Sequence, residues 1–329
     1  MKLKQLPEDF LVEEVLSKKP TGSGSYIWFT LEKRNRNLFD VIDEISKQLR
    51  IPRDRIGYAG LKDKVAVTKQ TLSVYGVNVS ELKKLKIDGA KLSGFKKSSQ
   101  PILLGDLVEN KFRIVARDID KNKQNMISKN VKSINDEGVL NLFDDQRFGS
   151  NKNTHIIGKL ILKKEWEMAV KLFVRGDSSR WGKSISNYLN RNPEDYLGAL
   201  RTLPKTLQML FVNAYQSYLF NQIALMCKPK KTTKLPIIGY ETVLENYPEV
   251  YGITDKILKK EKVRLENFRV KGLPIKPTGD ERSLLAFPRN LNYKIEKDEL
   301  SKDKIKATFE FSLQKGSYGT QVVKEIFTR

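Results

Sequence analysis

Ile305-Lys306-Ala307-Thr308-Phe309-Glu310-Phe311-Ser312-Leu313-Gln314 alternates an apolar with a polar residue at every step. Successive side chains of a strand point to opposite faces, so this stretch predicts a strand with one buried and one wet face. That pattern suits an antiparallel sheet covered on one side. The same period appears near the other end of the chain, where Ile27, Phe29 and Leu31 alternate with Tyr26, Trp28 and Thr30. Residues 71–75 and 112–115 are rich in β-formers and predict two more strands. Then the period changes. Leu38, Val41, Ile42, Ile45 and Leu49 share one helix face. Helices are also expected over 122–134, 165–173 and, longest of all, 206–226. Residues 175–204 carry Gly, Ser, Asn and Pro punctuation around Trp181, Tyr188 and Tyr196, and 228–235 form a basic run that suits a solvated loop. A turn at 315–320 and a short terminal segment close the chain. Strands at both ends around a helical middle predict an α+β fold whose termini share a sheet, with the middle inserted.

A chain of 329 residues suffices for one large domain or two medium ones, and 39% hydrophobic residues exclude a disordered tail. Lysine and arginine number 61 against 39 acidic residues, a net charge of +22. A surplus of that size repels itself and points to a polyanionic partner, nucleic acid first. The chain holds one cysteine, Cys227, and one histidine, His155. A disulfide framework and a Cys/His zinc site are therefore excluded. His155 has no nucleophile motif beside it and is expected to be structural or at the surface. The cysteine count fits a reducing cytoplasm. Met1 leads into Lys2 and Lys4 with no apolar signal core, and the most apolar stretch, 207–226, is broken by Asn213, Gln216, Ser217, Asn221 and Gln222. A cytoplasmic protein without a membrane span is expected. Its chemistry falls to carboxylates, lysines, arginines, hydroxyls and aromatics.

Three segments suit that chemistry. In Gly57-Tyr58-Ala59-Gly60-Leu61-Lys62-Asp63-Lys64, two glycines permit a tight turn and two lysines flank one carboxylate. Flanking cations favour a charged aspartate, which suits nucleophilic attack or electrostatic stabilisation, although Lys-Asp-Lys is also a common solvated turn. Gly-x-x-Gly has the outline of a KH loop, but no basic helix follows it. Gly22-Ser23-Gly24 lacks the Gly-Lys-Ser/Thr ending of a phosphate loop. In Asn141-Leu142-Phe143-Asp144-Asp145-Gln146-Arg147-Phe148-Gly149, aromatics stand beside an arginine, a combination that stacks bases and forks onto phosphate. The plainer alternative makes both phenylalanines core plugs and pairs Arg147 with Asp144 or Asp145. On the longest helix, Asn213, Gln216, Ser217 and Asn221 form an uncharged polar face, suited to protein backbone or RNA.

Residues 57–70 resemble the active-site motif of the TruD-type pseudouridine synthases, Ala-Gly-x-Lys-Asp-x-x-Ala-x-Thr-x-Gln. Residues 141–149 resemble the family's second motif, Asn-Tyr-Phe-Gly-x-Gln-Arg-Phe-Gly, and 214–221 its third signature. Residues 315–320 are similar to its closing turn, and Asp9-Phe10 with Val12 and Glu14 to its opening. Leu235-Pro236 with Gly239-Tyr240 resembles the archaeal and eukaryotic branch. Leu142, Asp144 and Gly319 depart from the family's tyrosine, glycine and alanine.

The resemblance implies a catalytic domain with a mixed or antiparallel sheet, built from residues 1–150 and 290–329. A mainly α-helical TruD domain, 151–289, would be inserted in it. It implies a cofactor-free and metal-free isomerisation of a uridine in RNA: the C1′–N1 bond breaks, the base rotates, and C5 joins C1′. Asp63 would be the nucleophile or the first group to act, and Phe143 would stack on the flipped uracil. Gln146 and Arg147 would shape that motif. Lys33 and Lys62 would keep Asp63 ionised or bind the adjacent phosphate. The implied partner is tRNA, at position 13, with other RNAs possible substrates of that branch, and the expected state is a monomer. The rivals are a non-catalytic RNA-binding or tRNA-chaperone protein on the same scaffold, and a methyltransferase. The latter wants a glycine-rich cofactor loop after a strand, which the sequence lacks.

Overall fold

The alternation at the two ends of the chain is realised in one sheet. The structure is a computed structural model that describes residues 1–63, 65–176, 180–228 and 232–329. Two compact units emerge, Met1–Val139 with Phe287–Arg329, and Leu140–Ala286.

Nine strands of the first unit form its sheet among the described residues: β1 (Lys2–Leu3), β2 (Phe10–Leu16), β3 (Tyr26–Arg34), β4 (Ile56–Tyr58), β5 (Val67–Tyr75), β6 (Ala90–Ser98), β7 (Leu107–Ile119), β8 (Arg289–Lys297) and β9 (Ile305–Gln314). Their order is β8-β9-β7-β2-β5-β3-β6, with β1 on β7 and β4 on β5. Only β2 and β5 run parallel; the other pairs are antiparallel. The carboxyl-terminal strand β9 thus lies beside β7 and, through it, joins the amino-terminal strand β2. Ile305, Ala307, Phe309, Phe311 and Leu313 are buried, as their period demands.

The helix Gly319–Thr328, where only a short segment was expected, covers this part of the sheet. Phe309 meets Phe327 edge to face, 6.2 Å between centroids, and Asn130 of the helix Gln124–Glu137 donates to the Ile326 carbonyl at 2.9 Å. The departure at Gly319 has a local cause. A Cβ there would lie 2.7 Å from Cδ1 of Phe112, whose ring stacks on Phe311 at 5.5 Å. Glycine leaves room for that ring.

The other half of the sheet packs on the helix Leu38–Leu49, whose Leu38, Val41, Ile42 and Ile45 are buried against β3 and β5. Asn37 caps the helix by accepting from the Phe39 amide at 3.0 Å. The wet face expected for β3 is wet only in part. Trp28 is buried with Ala59 and Ile102 in a small second core, and its indole N–H donates to the Gln100 carbonyl at 2.7 Å. A buried ionic tie closes the unit: Arg117 of β7 holds Asp9 at 2.9 Å and Asp298 at 3.0 Å, joining both chain ends.

The second unit is mainly helical. The helix Lys205–Met226 lies at its centre with Phe211, Tyr215, Leu219, Phe220 and Ile223 buried. Gly158 lets the helix Thr154–Leu162 approach it, since a Cβ there would strike the Phe211 carbonyl. The punctuated stretch 175–204 contains two helices, Arg180–Arg191 and Tyr196–Arg201. Local chemistry explains them: Asp195 caps the second by accepting from the Gly198 amide at 2.8 Å, and Ile185, Ala199 and Leu200 are buried anchors. Part of the basic run, 229–231, lies outside the described residues; Lys234–Ile237 is a strand paired antiparallel with Asp280–Ser283. His155 stacks on Tyr218 at 4.9 Å and meets Phe148 edge-on at 5.1 Å. Burial holds its pKa below the usual histidine value, which suits a packing role.

Candidate active site

Asp63 lies in the loop from β4 to β5. Gly57, within β4, has to be glycine because a Cβ there would fall on the Ile102 carbonyl, so its role is close approach rather than a left-handed turn. Gln70 Nε2 holds the Gly60 carbonyl at 3.4 Å. Three lysines converge beyond it. Lys4 Nζ donates to Asp63 Oδ2 at 2.9 Å, and both side chains are about a quarter exposed (22% and 24%). Lys33, fully buried on β3, donates to the Asp63 backbone carbonyl at 2.7 Å. Lys62 turns inward to Glu14 Oε2 at 3.2 Å and donates to Asn110 Oδ1 at 2.6 Å. Lys64, the other flanking lysine of the sequence, lies outside the described residues.

These contacts divide the work. Lys4 addresses the carboxylate, while Lys33 and Lys62 hold the backbone that carries it. Lys4 adopts a left-handed backbone, φ 56°, unusual for a lysine, and its ammonium sits 4.1 Å from the centre of the Phe10 ring. Glu14 faces Asn110 across the β2–β7 pair and accepts from the Thr71 amide at 2.6 Å. Burial raises the Glu14 pKa, opposed by Lys62, and lowers that of Lys62, opposed by Glu14. Burial likewise brings Lys33 down to about 8, with Asp63 opposing the shift and Lys62 adding to it.

The Lys33 shift sets a sign. Between about 8 and the ordinary 10.5, the unfolded chain holds the Lys33 proton and the folded chain does not. Wild-type stability therefore gains from Lys33 as the pH rises through that window. The variant Lys33→Met lacks this term. Its melting temperature relative to wild type is expected to decline steadily from pH 7 to pH 10 in paired thermal melts; a constant difference would place the Lys33 titration elsewhere.

In the second unit, the long helix holds Phe143 by both backbone groups. Asn221 Oδ1 accepts from the Phe143 amide at 2.8 Å, and its Nδ2 donates to the Phe143 carbonyl at 2.9 Å. The Phe143 ring is half-buried, edge to face with the buried Phe220 at 5.5 Å. The Arg282 guanidinium lies over it at 4.1 Å and forks onto Asn141, donating to the backbone oxygen at 2.8 Å and the side-chain oxygen at 2.7 Å. Arg147 is 5.7 Å from the same ring and donates to Ser217 Oγ at 3.1 Å. Gln146 stands exposed on the turn Asp145–Phe148. The uncharged face of the long helix is thus a holder of protein backbone: Gln216 donates to the Ile238 carbonyl at 2.7 Å, beside the Asn221 clamp.

Asp63, Lys33 and Lys62 therefore gather in the first unit, and Phe143, Gln146 and Arg147 in the second. Sequence reasoning missed Lys4, Asn110 and Arg282. Lys4 stood in a lysine-rich start, its one signal being its place just before the Asp9-Phe10 signature. Arg282 reaches Phe143 from a strand far along the chain and left no local trace. Among the described residues, no group of three or more His, Cys, Asp or Glu side chains is placed to hold a metal ion.

A mixed sheet built from both chain ends and an inserted helical unit are the architecture that the pseudouridine synthase resemblance implies. The family described as tRNA pseudouridine synthase D (TruD) matches residues 1–180, 176–228 and 223–326, and the chain belongs to it. A probable tRNA pseudouridine synthase D from Methanocaldococcus jannaschii is 32% identical over 99% of this chain and 92% of its own. One from Methanosarcina acetivorans is 30% identical, with 98% and 92% covered. The crystal structure of a Methanosarcina mazei protein assigned as tRNA pseudouridine synthase D superposes with a TM-score of 0.74 at 27% identity, covering 99% of this chain and 93% of that one.

Proposed function

We propose that this chain converts a uridine of tRNA, at position 13, to pseudouridine, with Asp63 attacking or acting first and the swung-out uracil stacked on Phe143. The observation that carries the reading is the Asp63 loop: a partly exposed carboxylate bonded to Lys4, on a backbone fixed from beneath by Lys33. The reaction breaks C1′–N1 and forms C1′–C5; the C5 hydrogen leaves as a proton and N1 ends protonated, so atoms and charge balance without a cofactor. Lys4 steadies the carboxylate charge. Arg282 and Asn221 set the Phe143 ring before the base arrives, which spares the ordering that a loose ring would require. A tRNA transcript carrying cytidine in place of uridine 13 is expected to remain unmodified, whereas conversion elsewhere in it would move the target.

Phe143→Ala tests the stacking. Losing a base–ring contact of about 1–3 kcal/mol lowers the single-turnover rate roughly 5- to 150-fold. The dissociation constant for the RNA changes little, because phosphate contacts hold the ground state. Phe143→Tyr keeps most of the rate. Arg282→Gln slows the wild-type enzyme yet adds no further loss in the Phe143→Ala background, because it acts through that ring. A normal rate with a melt lowered by about 3–5 kcal/mol of lost core packing would make Phe143 a plug instead.

A further inference from the structure

Close to the Asp63 loop, the first unit presents apolar side chains to water. Leu103 is 56% exposed, Leu104 70% and Leu61 62%. Leu103-Leu104-Gly105-Asp106 is a tight turn closed by the Asp106 amide on the Leu103 carbonyl at 3.1 Å, with Gly105 at φ 100° in the place that requires it. The turn is stiff. Asp106 Oδ2 accepts from the Leu103 amide at 2.9 Å, Ser73 Oγ accepts from the Ile102 amide at 2.9 Å, and the Trp28, Ala59 and Ile102 core lies directly before it. The Gly105 amide donates to the Ala59 carbonyl at 3.3 Å. Ala59 precedes Asp63 by four residues, at most about 14 Å of chain.

Two adjacent leucines at the tip of a rigid turn contribute nothing to the core. Two lysines flank the turn: Lys18, paired with Asp106 at 2.8 Å, and Lys315, which donates to the Gly105 carbonyl at 3.3 Å. Lysines beside an apolar tip suit RNA, whose phosphates lie next to stacked bases. Swinging a base out of its stack leaves an apolar gap, and inserted leucine side chains fill such gaps in kinked nucleic acids.

We propose that the Leu103-Leu104 turn is a wedge that packs against the nucleobases flanking the reacting uridine and fills the space that the uridine vacates. The proposal rests on the isomerase reading above. Leu103 and Leu104 lie outside the groups that hold Asp63, so replacing them leaves the aspartate loop intact.

The test compares the wild-type chain with Leu103→Ser/Leu104→Ser on two RNAs. One is an intact tRNA transcript; the other carries abasic nucleotides on both sides of the target uridine, so that no stack has to be opened. The doubly substituted protein is expected to melt like wild type and to lose about tenfold or more in single-turnover rate on intact tRNA, but under about threefold on the abasic-flanked RNA. Unchanged turnover on intact tRNA, or equal losses on both RNAs, overturns the wedge. So does a wild-type dimer in sedimentation that the substitutions convert to monomer with full activity, since the leucines then face a second copy. A wild-type chain that converts neither RNA overturns the isomerase reading itself, and the wedge with it.

Discussion

Asp63→Asn is expected to lower single-turnover pseudouridine formation by more than about 10⁴-fold, while RNA affinity and thermal stability stay close to wild type. The amide keeps the shape of the carboxylate and removes its charge and nucleophilicity. The Asp63 backbone carbonyl still accepts from Lys33, so the loop stays in place. The Lys4 ammonium, 2.9 Å from Oδ2 in the wild type, loses an ionic partner but keeps an oxygen to bond and the Phe10 ring beneath it. Both groups are partly exposed, so the stability change stays within about 1 kcal/mol. A rate within tenfold of wild type would remove Asp63 from the chemistry.

Glu14→Ala is expected to have the largest effect on stability. The Glu14 side chain is fully buried and that of Lys62 is 4% exposed. Truncation leaves the Lys62 ammonium without its counter-charge and the Thr71 amide without an acceptor. Breaking such a pair costs about 3–5 kcal/mol. In a domain of this size that corresponds to a melting temperature lower by roughly 10 °C. Glu14→Leu with Lys62→Met removes both charges and should recover most of the loss, since an apolar pair of similar volume is often neutral. The single-turnover rate should nevertheless fall below wild type in that double variant, because Lys62 is the neighbour of Asp63 and its inward turn orients the loop. Full recovery of both stability and rate would make the ion pair dispensable for catalysis.

The sheet was legible wherever burial on one face imposed a period of two. β9 and the helix Leu38–Leu49 follow their apolar spacing closely, because water on one side and core on the other leave no choice of register. Trp28 escaped that logic. A second small core covers the opposite face of β3, and strict alternation has no way to announce it. The helices Arg180–Arg191 and Tyr196–Arg201 were hidden for a different reason: their intrinsic preference is weak, and buried anchors such as Ile185 and Leu200 supply what propensity does not. At the candidate site, Asp63 stood out through its motif, and Phe143 through the aromatic–arginine grouping around it. Lys4, Asn110 and Arg282 are defined by partners distant in sequence, and pairings of that kind exist only after folding. The polar face of the long helix was visible as a pattern, yet its use, clamping Phe143 through Asn221, required the structure.

The most direct measurement uses a tRNA transcript made with uridine tritiated at C5 and incubated with the purified chain. Isomerisation moves the glycosidic bond to C5 and expels that hydrogen. One tritium per RNA should therefore pass into water, dependent on Asp63, with no change in the mass of a parallel unlabelled transcript. Retention of the tritium by RNA bound to active-site-competent protein, or a transcript heavier by a methyl group, would contradict isomerisation as the reaction of this chain.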